Sequence, residues 1–471
     1  MDKKLWRGPG IIWIVRGLSL FYWVYLGLNT RMVISCDALG YEDFGKLIQQ
    51  HGFIPAYFEH GPNREPIYPL LVASSMYFAQ ISGIAYTKIM AAYGVFILIL
   101  TQILTHTIQR LLNIRAGICA LALAYMAISP ALNNSAFSLY SEIAAAPFIP
   151  GIVLVSHQLW QAIAKNNAKA ATGWGGFLGV LLAGAALIKA VFELISPAYL
   201  LIFIGSACYA DRKRPIRTQA CVAGLLAALA LFYIPITGYK YLNQKYNDHF
   251  VITDRGPWAL YGNTTRRQEP LTLKRFLAGL AYAAGEGLCA EIFTAQECDF
   301  WSFRKSDDLG YTKISQLRNQ YSTDKEVTRQ LIRLSTEQAL KNPTQYALLT
   351  GTEGLKMFFW ESTQIGFVSY PVWLEQIYKN KRGKNCLRLV VALLTSAALI
   401  FVWAQCLRRG APAPLLAAGL LMFLFIFFYS FFFILTRYAL PVVPLHVIII
   451  AYTANFLYNK YHGYYHQNFS T

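Results

Sequence analysis

A chain of 471 residues with 55% hydrophobic and only 14% charged residues, and a mean hydropathy of +0.36, is no ordinary soluble globule, where roughly a quarter of residues are charged. Its apolar residues fall in blocks near the roughly 20 residues that cross a bilayer, which predicts an all-α polytopic membrane protein. The net charge of +18 does not imply nucleic acid, because the basic residues concentrate in short loops and suit anionic lipid headgroups or a lipid-phosphate substrate.

The first apolar block, 11–28, reads as a span and not as a cleavable signal. It contains Arg16, is rich in Trp and Tyr, and lacks a small-residue cleavage site after it. Lys3, Lys4 and Arg7 ahead of it place the N-terminus in the cytoplasm. The first outer loop, 29–66, then carries Asp37 just beyond the membrane. An acidic group at that boundary is costly to keep, so Asp37 is a functional candidate. Within the loop, 40–50 reads as an amphipathic helix lying on the outer surface, with Phe44, Leu47 and Ile48 on one face. Pro66 and Pro69 start an apolar run that breaks near Gly83, and 89–104 completes the second span, with Arg110 and Arg115 at a cytoplasmic turn.

Span three is about 116–128, 130–138 is an outer loop, and span four is about 139–163 with Glu142 at its outer end. Span five starts near Trp174, contains Gly175-x-x-x-Gly179, a spacing for close helix approach, and ends near Lys189. Span six runs to about Ala210, the basic loop 211–217 is cytoplasmic, and span seven covers about 219–237. Residues 241–342 are polar and rich in turn signals, an outer excursion too long for a plain connector. Its clearest helix begins at the capping-box pattern Thr323 to Glu326, with Val327, Leu331 and Leu334 on one stripe. The apolar stretch 344–362 is interrupted by Glu353, Lys356 and Glu361 and reads as interfacial or re-entrant. Spans eight to ten are about 387–407, 412–435 and 438–457, giving ten spans and two cytoplasmic termini, or eleven if 344–362 crosses. The regions are thus an N-terminal membrane module 1–240, an outer region 241–385 and a C-terminal membrane module 386–471.

Cys119, Cys208, Cys221 and Cys406 lie in or beside apolar segments and read as packing residues. Cys289 and Cys298 lie in polar sequence and form a disulfide if that region faces an oxidising compartment.

The charged candidates each have a plain alternative. Asp37 is either a loop or helix-capping carboxylate, or a group that orients an acceptor or takes its proton. Glu142 is a snorkelling carboxylate or a second acid that orients the acceptor or binds a cation. Arg64 and Glu65 are a local ion pair, or Arg64 grips a phosphate. Lys189 and Glu193 satisfy each other along one helix, unless a break frees Lys189 for a phosphate. Arg437 and Tyr438 are interfacial anchors or a cation site at an outer edge. The Tyr- and His-rich C-terminus reads as an interfacial tail. There is no P-loop, no His-Glu-x-x-His and no Asp-x-Asp, so nothing marks nucleotide hydrolysis, a zinc protease or a metal–nucleotide-sugar site.

Four segments together resemble the GT-C superfamily of integral-membrane glycosyltransferases, which includes protein O-mannosyltransferases, lipid A aminoarabinose transferases and lipopolysaccharide-core transferases. They are Cys-Asp37-Ala-Leu-Gly-Tyr41, Arg64-Glu65-Pro-Ile-Tyr68-Pro-Leu-Leu-Val-Ala73, Leu-Tyr-Ser-Glu142 and Arg437-Tyr438-Ala-Leu-Pro-Val-Val-Pro444. The resemblance implies a GT-C-like bundle of about ten spans and inverting transfer of a sugar from a polyprenyl-phosphate carrier to a lipid, glycan or protein acceptor. It places the site on the non-cytoplasmic face of a bacterial inner membrane. Asp37 is then the base, or orients a phosphate acceptor; Glu142 is the second acid; Arg64, Lys189 and Arg437 stabilise the leaving lipid phosphate. Tyr41, Glu65, Tyr68 and Tyr438 support them. No metal is required, although Asp37 and Glu142 could share a divalent cation. Two positions depart from the pattern: Ala38 stands where protein mannosyltransferases carry a second acid, and Lys189 where many relatives carry Arg. A transporter or flippase of a lipid-linked sugar is the competing reading, but no two-half symmetry with interrupted midplane helices is visible. A non-catalytic scaffold leaves the clustering of Asp37, Arg64 and Glu142 at loop–span junctions unexplained.

Overall fold

The computed structural model describes residues 10–59, 64–209, 218–363, 365–409 and 411–468. The basic residues Lys3, Lys4 and Arg7 and the loop 211–217, on which orientation was argued, lie outside them. The chain is an all-α polytopic membrane protein. In order, α1 is Gly10–Asn29, β1 Arg31–Met32, α2 Asp37–His51, α3 Phe53–Glu59, α4 Ile67–Ser82, α5 Tyr86–Leu111, α6 Ala116–Ile128 and α7 Pro130–Ala136. Then come α8 Glu142–Ala145, α9 Phe148–Ala164, α10 Ala168–Ile188, α11 Phe192–Tyr209 and α12 Thr218–Asn247. The region between α12 and the next long helix holds α13 Arg255–Arg266, α14 Leu273–Ala284, α15 Glu286–Ile292, α16 Ala295–Asp299, α17 Phe303–Arg318, α18 Asp324–Lys341, α19 Pro343–Leu355, β2 Val368–Ser369 and α20 Val372–Lys379. The chain closes with α21 Lys381–Arg409, α22 Ala413–Ser430 and α23 Val443–Asn468.

Among the described residues, eight helical segments are long and apolar enough to cross a membrane. A ninth is the pair α6 and α7, bent by 51° at Pro130. The remaining expected span corresponds to α11, whose apolar part Phe192–Cys208 is shorter. The Gly175/Gly179 spacing does what it predicts: a Cβ on Gly175 would meet the Gly224 carbonyl oxygen at 2.2 Å, and one on Gly179 that of Ala228 at 2.3 Å. Backbones of α10 and α12 are therefore in direct contact, which only glycine permits.

The stretch 344–362 does not cross, and it is not an exposed interfacial helix either. Its charges are buried as a network. Glu353 holds Arg266 at 2.6 Å and Lys356 at 2.7 Å and accepts the Ile434 N–H at 2.9 Å, with no exposed surface of its own. Glu361 accepts from Ser129 Oγ at 2.8 Å and the Ala131 N–H at 3.0 Å, in the bend between α6 and α7, and from the Tyr125 hydroxyl. The segment thus ties α13 to the α6–α7 bend of the bundle. Hydropathy cannot reveal this, because Arg266, Ile434, Ser129 and Ala131 lie far away in sequence. A two-residue antiparallel ladder, Arg31 opposite Ser369 and Met32 opposite Val368, adds a second tie from the first outer loop.

Cys289 and Cys298 form a disulfide. Cys208 and Cys221, expected as separate packing residues, are also paired, between the facing ends of α11 and α12. The C-terminal run continues as helix through Asn468 and is not a separate tail.

Candidate functional site

The turn out of α1 passes through Cys36 at φ +53°, a conformation that residues other than glycine rarely hold, and α2 starts on Asp37. Asp37 makes no capping bond; the first turn simply presents its carboxylate sideways. The amphipathic helix expected at 40–50 is α2, with Phe44 and Ile48 buried. Its inward face packs on α4, where a Cβ at Gly45 would overlap Val72 Cγ1 at 2.6 Å. The Tyr41 and Tyr68 rings meet edge-to-face at 4.8 Å in that interface, and the Tyr41 hydroxyl shares a 2.8 Å hydrogen bond with Ser141 Oγ.

Three guanidinium groups converge on Asp37. Arg64 Nη2 donates to Oδ1 at 3.0 Å, Arg437 Nη2 donates to Oδ2 at 2.5 Å, and Arg255 Nη1 lies 3.9 Å from Oδ1. Partial burial pushes the Asp37 carboxyl up, but Arg437 and Arg64 outweigh it and hold it well below the usual carboxylate range. Arg64 is itself buried, its guanidinium 4.5 Å from the Tyr41 ring centroid and its carbonyl accepting from the Tyr57 hydroxyl at 2.7 Å. Arg64 and Glu65 are not a local ion pair: Glu65 Oε1 accepts the Ala190 N–H at 3.1 Å.

That bond falls at the break between α10 and α11. Lys189 has an extended backbone, φ −142° and ψ 103°, so the helix stops and Lys189 and Glu193 part company. Lys189 Nζ turns to Glu142 Oε1 at 3.2 Å, and Glu193 pairs with Lys240 at 2.6 Å. Arg437 bridges the two carboxylates, with its Nε 3.7 Å from Glu142 Oε1 and its guanidinium 4.6 Å from the Tyr140 ring. Tyr438 sits beside both cations, its ring centroid 5.8 Å from Lys189 Nζ. Glu142 is almost completely buried, yet its Oε2 has no hydrogen-bond partner, and the same holds for the Tyr140 hydroxyl.

All five charged candidates therefore share one site. Their sequence separations run to 400 residues, between Asp37 and Arg437. Four cations contact two carboxylates, with Glu65 and Asp307 as further acids within their electrostatic reach. A divalent cation shared by Asp37 and Glu142 does not fit these residues, since Arg437 already bridges them, and no group of three His, Cys, Asp or Glu that could hold a metal occurs among the described residues.

Two residues of the region between α12 and α21 were not anticipated. Arg255 begins α13 and reaches Asp37 directly. Asp307, on α17, lies within the electrostatic reach of Asp37 and Arg255 and has a buried Oδ1 without a partner. Burial first, then the charges of Asp308 and Asp37, push its carboxyl up to about 6. Nothing local distinguishes either residue in a polar stretch full of charges; only the packing of α17 on α13 singles them out. No protein-family model matches the sequence, and no curated protein matches it significantly.

Proposed function

We propose that this protein is an inverting glycosyltransferase that moves a sugar from a polyprenyl-phosphate-linked donor to a lipid, glycan or protein acceptor on the outer face of a bacterial inner membrane. The observation that carries the reading is the convergence of Arg64, Lys189 and Arg437 with Asp37 and Glu142 in one cluster beside the membrane spans. Positive charge arranged beforehand, where a lipid phosphate departs, stabilises the charge that grows on that phosphate as the glycosidic bond breaks.

In this reading the donor phosphate enters between Arg64, Lys189 and Arg437 and competes with the carboxylates for them. As Arg64 and Arg437 turn to the phosphate, Asp37 loses the partners that suppress its basicity. It then orients the acceptor hydroxyl and accepts its proton as that oxygen bonds to the anomeric carbon and the phosphate leaves with the electron pair. Glu142 keeps Lys189 and Arg437 placed and offers its unpaired Oε2 to a sugar hydroxyl. For a phosphate acceptor no proton transfer is needed, and Asp37 orients the acceptor instead.

The test uses membranes carrying the protein or Asp37→Asn, supplied with radiolabelled polyprenyl-phosphate sugars and total envelope acceptors. Transfer by the parent, reduced at least a hundredfold in a normally folded Asp37→Asn, supports the reading. Equal transfer by both removes Asp37 from the chemistry. Movement of the carrier across sealed vesicles, with no transfer over a broad panel of donors and acceptors, would establish the transporter instead.

A further inference from the structure

The end of the bundle away from Asp37 holds a second cationic site. Lys88, at the start of α5, donates to the carbonyl oxygens of Gly27, Leu28 and Thr30 at 3.1, 2.7 and 3.1 Å, which fixes that end of α5 beside the end of α1 that leads to Asp37. The opposite ends of α1 and α5, with the start of α6, enclose a cavity of about 470 Å³. Arg16, His106 and Arg110 line it together with Ile12, Trp13 and Ile114.

Arg16 lies within the first membrane-spanning helix. Its Nη2 donates to His106 Nδ1 at 3.0 Å. A guanidinium only donates, so Nδ1 is the acceptor and the ring proton is on Nε2, where it is available as a further donor. Arg16 Nε is buried and has no hydrogen-bond partner. Among the described residues, no carboxylate pairs with Arg16 or Arg110. An arginine inside a membrane helix is costly unless a counter-charge compensates it. Here two guanidiniums and a ring N–H border a cavity that no carboxylate among the described residues lines. The rim is apolar: Trp13 is 68% exposed and Ile103 is 41% exposed, both on helices apolar enough to cross a membrane.

We propose that this cavity binds the phosphate group of an anionic phospholipid. Arg16 and Arg110 grip the phosphate oxygens, His106 Nε2 donates to one of them, and the acyl chains run along Trp13 and Ile103. The chemistry recognised is a phosphate monoanion; the apolar rim selects one that carries tails over one free in water. Basic pockets between membrane helices are suited to such headgroups. The site is independent of the transfer chemistry at Asp37, so it stands or falls separately.

The purified full-length protein in neutral detergent is titrated with phosphatidylglycerol, with phosphatidylcholine of the same chains and with inorganic phosphate, following retained lipid by native mass spectrometry and Tm by thermal unfolding. Wild type is expected to retain one phosphatidylglycerol and gain Tm, with neither effect from phosphatidylcholine. Arg16→Gln with Arg110→Gln should weaken retention at least tenfold. Because that pair alters a buried cation, Ile114→Trp provides a second variant, filling the cavity while keeping both arginines; it should lose retention too. Undiminished retention in the folded cavity-filled variant, equal retention of the two lipids, or a full Tm gain from inorganic phosphate alone would each overturn the proposal.

Discussion

At the scale of single residues, the two aspartates of the site sit in opposite environments. Asp37 is satisfied by guanidiniums and stays ionised, whereas Asp307 is partly buried with an oxygen that nothing satisfies. A carboxylate left so is unfavourable for the fold unless a ligand uses it. For Asp307 the folded carboxyl titrates near 6, above the ordinary value near 4. The folded protein therefore binds more protons than the unfolded chain between those values, and its stability falls as pH rises through that window. Asp307→Asn is expected to raise Tm at pH 7, the gain shrinking as pH falls toward 4. If the unpartnered Asp307 oxygen receives an acceptor hydroxyl, the same variant should raise the acceptor KM several-fold in the transfer assay, because the amide keeps an acceptor oxygen but loses the charge that strengthens the bond. An unchanged Tm at pH 7 together with unchanged acceptor KM would remove Asp307 from the site.

At the scale of elements, the site depends on how closely the outer helices approach. A Cβ at Gly262 on α13 would lie 1.9 Å from the Ser306 carbonyl oxygen, and one at Gly310 on α17 would lie 2.7 Å from that of Trp258. Two glycines thus let α13 and α17 touch backbone to backbone, and this contact sets Arg255 and Asp307 on one side of Asp37. Gly262→Ala must force the helices apart, at a cost of about 1–3 kcal/mol for overpacking. The expected outcome is faster proteolytic nicking between 248 and 380 and a lower Tm, with the spans still folded. Wild-type nicking rates would mean that the pair tolerates separation. The break at Lys189 belongs to this scale too. Helical periodicity allows Lys189 and Glu193 to meet, and the extended backbone at Lys189 prevents it; the break delivers Lys189 to Glu142.

At the scale of the whole molecule, α12 joins the two ends of the bundle. Its 30 residues span about 45 Å at 1.5 Å per residue, from the Cys208–Cys221 end to the outer region holding Cys289–Cys298. The two cysteine pairs thus flank the membrane from opposite sides, and only one side is oxidising. With the outer region exported, the Cys208–Cys221 disulfide faces cytosolic reductant, which opens it to two free thiols in the cell. In intact cells a membrane-permeant maleimide is expected to label Cys208 and Cys221 and to spare Cys289 and Cys298. The reverse pattern would invert the assumed orientation and place the Asp37 site inside.

The sequence alone determined the class, nearly every span and several local features: α2 and its buried face, the Gly175/Gly179 contact, and the Thr323 cap, whose Oγ accepts the Glu326 N–H at 3.3 Å. These are legible because hydropathy, periodicity and capping depend on neighbours a few residues away. It also marked Asp37, Arg64, Glu142, Lys189 and Arg437 one at a time, each as a charge at a loop–span junction. Only the tertiary structure decided which charge answers which. Asp37 reaches Arg64 across 27 residues and Arg437 across 400, and Arg255 and Asp307 arrive from a region with no local signal. The buried network of Glu353 and the pairing of Cys208 with Cys221 were hidden for the same reason. A charge or a thiol has no partner preference written in its own neighbourhood; packing selects the partner by bringing distant backbone together.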